Sequence, residues 1–122
     1  MTIRDALRTL AASQDEIEAS EERAEASTAV GCTAVGDLAP RARAKVSGVI
    51  RSVVVRPRDG VPALEAELYD GSGSLALVWL GRREIGGIDP GRRLKVDGMV
   101  CQMDGVRTMF NPAYELRPRA GE

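Results

Sequence analysis

The sequence predicts a mainly β fold: a five-stranded Greek-key barrel carrying an N-terminal α-helical extension. Three observations predict it. Asp-Gly pairs at 59–60, 70–71 and 104–105, with Asp89-Pro90-Gly91, cut residues 41–118 into five apolar-alternating runs, and Asp-Gly between such runs is a strong hairpin signal. The first run is long and is interrupted by Gly48. After the third run come extra residues, RREIGGIDPG, that no hairpin needs.

Residues 1–27 read as the helical extension. Thr2 with Asp5, and Ser13 with Glu16, make capping-box patterns. Ile3, Ala6, Leu7, Leu10 and Ala11 keep helical spacing and form one apolar stripe, so this part is expected to dock. From Gln14 to Ala26 the residues are mostly Glu and Ala, with Ile17 as the large apolar group, and a second, solvated helix is expected there. Residues 28–40 are small and Gly-containing and read as a linker. Residues 41–118 then form the barrel, and residues 119–122 are a tail.

The strand candidates are residues 42–56, 62–69, 74–80, 92–103 and 106–111, with Tyr114–Leu116 as an extension. The first three form a meander and the last two a hairpin. A bulge or bend at Gly48 would let the first strand serve two sheets. The insert after the third strand has room for one short helical turn. These features match the OB-fold, a small Greek-key barrel. An SH3-like barrel is the alternative, with shorter last strands and no insert at that place.

The Asp70–Gly73 loop sets the register of the central hairpin. Tyr69 faces Ser74, Leu68 faces Leu75, Ala66 faces Leu77 and Leu64 faces Trp79. The other face pairs Glu67 with Ala76, Glu65 with Val78 and Ala63 with Leu80. A slip by one residue would set Glu against Leu throughout. Trp79 therefore points into the barrel, its indole N–H seeking a backbone carbonyl at the barrel end.

The outer face then holds Glu65, Glu67, Tyr69, Ala76, Val78 and Leu80. In OB-folds this strand 2–3 face, flanked by the 1–2 and 4–5 loops, takes the ligand. The register sets Leu80, Arg82 and Arg83 beside the loop carrying Arg56 and Arg58, with Arg107 on the last hairpin as a fifth arginine. A basic rim around a shallow face holds single strands without sequence readout. The candidate nucleic-acid-binding residues are thus Arg56, Arg58, Tyr69, Leu80, Arg82, Arg83 and Arg107. An Arg-rich small protein must also place its arginines somewhere on its surface.

Three runs carry a resemblance: ALEAELYDGSGSLALVWLG, DPGRRLKVDGMV and MDGVRTMFNPAYEL. Over about residues 45–116 the chain resembles the nucleic-acid-binding OB-fold family, and most of all the wedge domain of RecG-type branch-migration helicases. It is similar, more weakly, to single-stranded DNA-binding proteins and to anticodon-binding domains of aminoacyl-tRNA synthetases. The resemblance implies binding of single-stranded or branched nucleic acid, DNA before RNA, through the strand 2–3 face. Where those relatives carry aromatic residues, this chain has Leu80, Glu84 and Glu65. No GxxxxGK[ST] motor signature is present.

Composition narrows the function further. The 122 residues suggest one domain, and the net charge is -1. Residues 1–37 carry eight acids and three bases, while residues 38–122 carry ten acids and fourteen bases. Arginine outnumbers lysine fifteen to two; arginine forks onto phosphate and stacks on bases, but a GC-rich genome gives the same bias. Histidine is absent, and with it the commonest general base and metal ligand. Cys32 and Cys101 form no CxxC, so no metal site and no cofactor are expected, and the two fit free thiols in the cytoplasm. There is no nucleophile–base pair, so no enzyme is expected. No run of ~18 apolar residues marks a membrane span, and no signal peptide is expected. The alternative function is a protein adaptor, in which Ile3, Leu7 and Leu10 dock a partner or a second copy and the apolar barrel face meets protein.

Overall fold

The computed structural model describes residues 2–118. One helix, α1 (Ile3–Ala26), leads to a 3-10 turn at Val35–Asp37 and then to seven strands. These are β1 (Arg43–Arg58), β2 (Val61–Tyr69), β3 (Ser74–Leu80), β4 (Arg93–Met99), β5 (Cys101–Met103), β6 (Val106–Phe110) and β7 (Ala113–Leu116). The class is mainly β with an N-terminal helix, and the topology is OB-like.

The strand count differs from the expected five, for two local reasons. The fourth run is split at Val100, whose N–H donates to the Ala42 carbonyl and whose own carbonyl accepts from Arg41 N–H. Residues before Val100 pair with β1, and residues after it pair with β6. The Tyr114–Leu116 extension is the body of β7, which adds to the free side of β4.

The sheet order is β5-β6-β3-β2-β1-β4-β7. β4 and β5 are one residue apart in the chain yet lie near opposite ends of that order, so the sheet must curl until Val100 spans its two ends. The central hairpin has the register read from its apolar pattern, from Ala63 opposite Leu80 to Tyr69 opposite Ser74. Asp59-Gly60 and Asp104-Gly105 take positive φ at both positions, as a two-residue type I′ hairpin turn requires.

β1 serves two partners, pairing with β4 through Val49 and with β2 from Val49 onward. The register shift lies between Ile50 and Ser52 rather than at Gly48. Gly48 has another cause: a Cβ there would stand 2.5 Å from the Tyr69 carbonyl oxygen, so β2 could not cross so closely. The insert after β3 makes a turn closed by Ile88 N–H on the Ile85 carbonyl, not a helix. Ile85 and Ile88 are both buried.

The core holds Ile50, Leu64, Leu68, Leu75, Leu77 and Met109, all fully buried; each such side chain contributes about 1.5–3 kcal/mol. Trp79 is buried with them, and its Nε1–H donates to the Pro112 carbonyl at 3.1 Å. The segment read as a linker supplies two more core residues, Val35 and Leu38.

The helix docks the opposite way round from the expectation. α1 is one continuous helix, capped by the Thr2–Asp5 capping box, and the Ser13–Glu16 pattern starts no second one. Its apolar N-terminal half projects, with Ile3, Leu7 and Leu10 exposed. Its Glu- and Ala-rich end is the docked part. There Ala26 is buried, Arg23 pairs with Asp70, Glu22 with Arg93, and Glu25 with Arg117. Polar pairs and close backbone approach hold it, so its apolar stripe gave the wrong face.

Candidate nucleic-acid interface

The outer face of β2 and β3 is built from three rows. Arg56, Ala63 and Leu80 lie level; so do Val54, Glu65, Val78 and Phe110; so do Ser52, Glu67, Ala76 and Thr108. The parallel pairing of β3 with β6 brings Phe110 beside Val78. No hairpin signal encodes that pairing, and Phe110 was absent from the sequence-derived candidates.

Val78 lies on this outer face and yet is only 1% exposed. Its flanking neighbours are Glu65 and Phe110, and Arg58 reaches both. The Arg58 guanidinium carbon sits 5.5 Å from the centre of the Phe110 ring, within cation–π range. Its Nη2 lies 2.7 Å from Glu65 Oε1. Arg56 meets the other oxygen of the same carboxylate at 3.6 Å. Leu80 stays 44% exposed on the row beside this group, with its N–H donating to Asn111 Oδ1 at 2.9 Å.

Arg82 and Arg83 follow Leu80 after Gly81 and are exposed. Among the described residues neither forms an ion pair. The strand pairing sets Arg56 and Leu80 in one row at this end of the face, with Arg58, Glu65 and Phe110 in contact beside them. Arg82 and Arg83 lie in the loop that follows β3, where Arg83 lines a hollow with Val53, Val55 and Leu64.

Tyr69 and Arg107 are not part of that group. Tyr69 ends β2 at the opposite end of the hairpin, about 20 Å away along the strand at ~3.3 Å per residue, and the Arg51 guanidinium stacks 3.3 Å from its ring centre. Arg107 lies beside the Gly73 turn at that same far end. It also shares the strand parity of the buried Met109, which points it away from the outer face. Placing it in the rim from the hairpin alone missed the parallel β3–β6 pairing.

The far end is organised by Asp70, which is fully buried. Its carboxylate accepts from Val35 N–H at 2.8 Å, Ser72 N–H at 2.9 Å, Ser72 Oγ at 2.7 Å and Gly73 N–H at 3.2 Å, and it pairs with Arg23. Burial pushes its pKa up, but the Ser72, Val35 and Arg23 contacts favour the anion more, and the net direction is below the ordinary value. The site is saturated with partners from α1, the 3-10 turn and the β2–β3 turn, so its chemistry is structural.

Among the described residues no cluster of three or more potential ligands could hold a metal ion. Cys32 and Cys101 are both free and half-buried. No helix is long and apolar enough to cross a membrane.

No family model and no curated protein matches the chain. Among solved structures, a replication protein A heterotrimer bound to ssDNA is similar at 16% identity and a TM-score of 0.46, the match covering 63% of this chain and 57% of that chain. The match thus spans little more than half the length of that chain.

Proposed function

We propose that residues 41–118 are an OB-fold barrel, with β4 and β5 as the two halves of its fourth strand, that binds single-stranded or branched nucleic acid without catalysis. The phosphates would run along Arg56, Arg58, Arg82 and Arg83, and a base would stack over Leu80 towards Phe110. The observation that carries this reading is the end group itself: Arg56 and Arg58 around Glu65, an exposed Leu80 in the row beside them and a Phe110 ring already aligned with the Arg58 guanidinium, with the exposed Arg82 and Arg83 in the loop that follows β3. Arginine and aromatic surfaces together hold single strands through backbone charge and stacking, the stacking worth about 1–3 kcal/mol per base. The likeness to wedge domains extends the reading to branched DNA.

Glu65 is the feature that argues against a polyanion, and its two arginine partners bear on that objection. The Glu65 side chain is itself 19% exposed, but its partners Arg56 and Arg58 are 68% and 36% exposed. Ion pairs whose arginines reach solvent are weak tethers, worth about 0–1 kcal/mol per pair, from which phosphates can draw the guanidiniums.

The test is a titration of labelled single-stranded DNA, forked DNA, duplex and RNA at two salt concentrations. Four neutralised phosphates would give a log–log salt slope of about -3 for a single strand, at about -0.7 each. Replacing Arg56, Arg58, Arg82 and Arg83 together with Ser should abolish binding and leave the melting temperature nearly unchanged. Undiminished affinity in that variant, or no binding by the wild type at low salt, refutes the reading.

A further inference from the structure

The projecting half of α1 has a second use that the barrel does not explain. Ile3, Leu7, Leu10, Gln14, Ile17, Glu21 and Ala24 follow one another at alternating spacings of four and three, the seam of a coiled coil. Every residue from Ile3 to Glu18 is exposed, and the four large apolar groups of the seam are 55–82% exposed. Most of the docked face, Ala19, Glu22, Arg23 and Ala26, lies on the other side of the helix, since at ~100° per residue it is turned about 160° from the seam, and Glu25, which pairs with Arg117, flanks only its last turn. The body therefore leaves the whole seam free. Most helical stability in proteins comes from packing of an apolar face rather than from propensity.

We infer that a second copy of this chain covers the seam, with the two helices antiparallel. The charge pattern selects the occupant and the direction. Arg4 and Arg8 sit in the first third of α1, whereas Asp15, Glu16, Glu18, Glu21 and Glu22 crowd the rest. Parallel copies would set these acids against themselves along the shared seam. Antiparallel copies place basic ends on acidic ends. Flanking positions of one type then face each other across the pair, and Arg4 and Glu18 occupy the same type, two heptads apart. Arg4 of each copy meets Glu18 of the other, and in that register Leu7 of each copy packs on the other's Ile17. The two barrels, docked on the outward faces near opposite ends, stay clear of each other.

Sedimentation equilibrium of the full chain at low salt tests this. The wild type should run as a dimer. Replacing Leu7 and Leu10 with Asp should give a monomer with an unchanged barrel, since both residues are exposed. Arg4→Glu alone, and Glu18→Arg alone, should each weaken the dimer about tenfold, because each reverses two flanking pairs worth several tenths of a kcal/mol. An equimolar mixture of those two variants should regain wild-type affinity as a heterodimer, which only antiparallel pairing allows. A monomeric wild type, or a dimer indifferent to the Leu changes, overturns the proposal. Failure of the mixture to recover overturns the antiparallel register.

Discussion

The two ends of the β2–β3 hairpin carry the same chemistry in different solvents. At the turn end, the Asp70 carboxylate meets Arg23 with no exposed surface of its own. At the other end, the Glu65 carboxylate, 19% exposed itself, meets Arg56 and Arg58, whose side chains are 68% and 36% exposed. Asp70 accepts three backbone N–H groups and a hydroxyl besides its arginine. Glu65 has arginine partners alone among the described residues. A buried ion held by fixed donors is costly to disturb, while a pair whose arginine reaches solvent is held far more loosely. One end of the hairpin is therefore built to stay as it is, and the other to accept a different anion.

The largest expected effect is at the buried end. Asp70→Ala would leave Arg23, Val35 N–H and Gly73 N–H without their acceptor. Breaking a buried pair costs about 3–5 kcal/mol, a large part of the ~5–15 kcal/mol of a small domain. Urea unfolding would measure it. A cost under ~1 kcal/mol would erase the distinction between the two ends.

Gly71→Ala comes next. Its φ of +88° belongs to the left-handed region, and an added Cβ would lie 2.2 Å from the Ala19 carbonyl oxygen of α1. The left-handed backbone alone costs ~1–2 kcal/mol for an L side chain, and the clash with helix backbone cannot be relieved by a rotamer change. α1 should undock, with faster proteolysis between residues 19 and 34 and a barrel that still melts cooperatively. A variant as resistant as the wild type would show that the docked end of α1 does not depend on this close approach.

Acid separates the ends by titration. Because the folded Asp70 titrates below its unfolded value, its contribution to stability is complete above the unfolded pKa. It is lost as the pH falls through the folded one. Wild-type unfolding free energy should therefore drop on the acid side of ~pH 4, and Asp70→Asn, already destabilised, should show a shallower slope there. Parallel slopes for the two proteins would assign the acid loss to other carboxylates.

These contrasts mark what could be read from the chain itself. The hairpin register and the inward Trp79 were legible because period-two alternation forces every pair at once. The Asp-Gly turns were legible at 59–60 and 104–105, but the same dipeptide at Asp97-Gly98 lies inside β4, where pairing with β1 overrides it. Phe110 was hidden, since it reaches the face through a parallel pairing between distant segments that leaves no local pattern. The docking face of α1 was hidden for the opposite reason. Its strongest local signal, the apolar stripe, faces away from the barrel, and the docked end is held by ion pairs whose partners lie far along the chain. Arg107 was misplaced by the same missing pairing.

The smallest expected effect tests the exposed end most directly. Glu65→Gln keeps a side chain of the same shape over Val78, and the amide oxygen can still accept from Arg58, so the melting temperature should hardly move. The substitution removes the negative charge that Arg56 and Arg58 share. If phosphate takes the place of the carboxylate, affinity for single-stranded DNA should rise by roughly 1.4- to fivefold at low salt, the range that a pair worth about 0.2–1 kcal/mol allows. The gain should fade at high salt, where screening shortens to ~3 Å at 1 M. A binding titration of both proteins at two salt concentrations measures it. A weaker complex, insensitive to salt, would instead mark Glu65 as an acceptor for a base edge such as cytosine N4, and the exposed end would then be a reader of bases rather than a holder of phosphates.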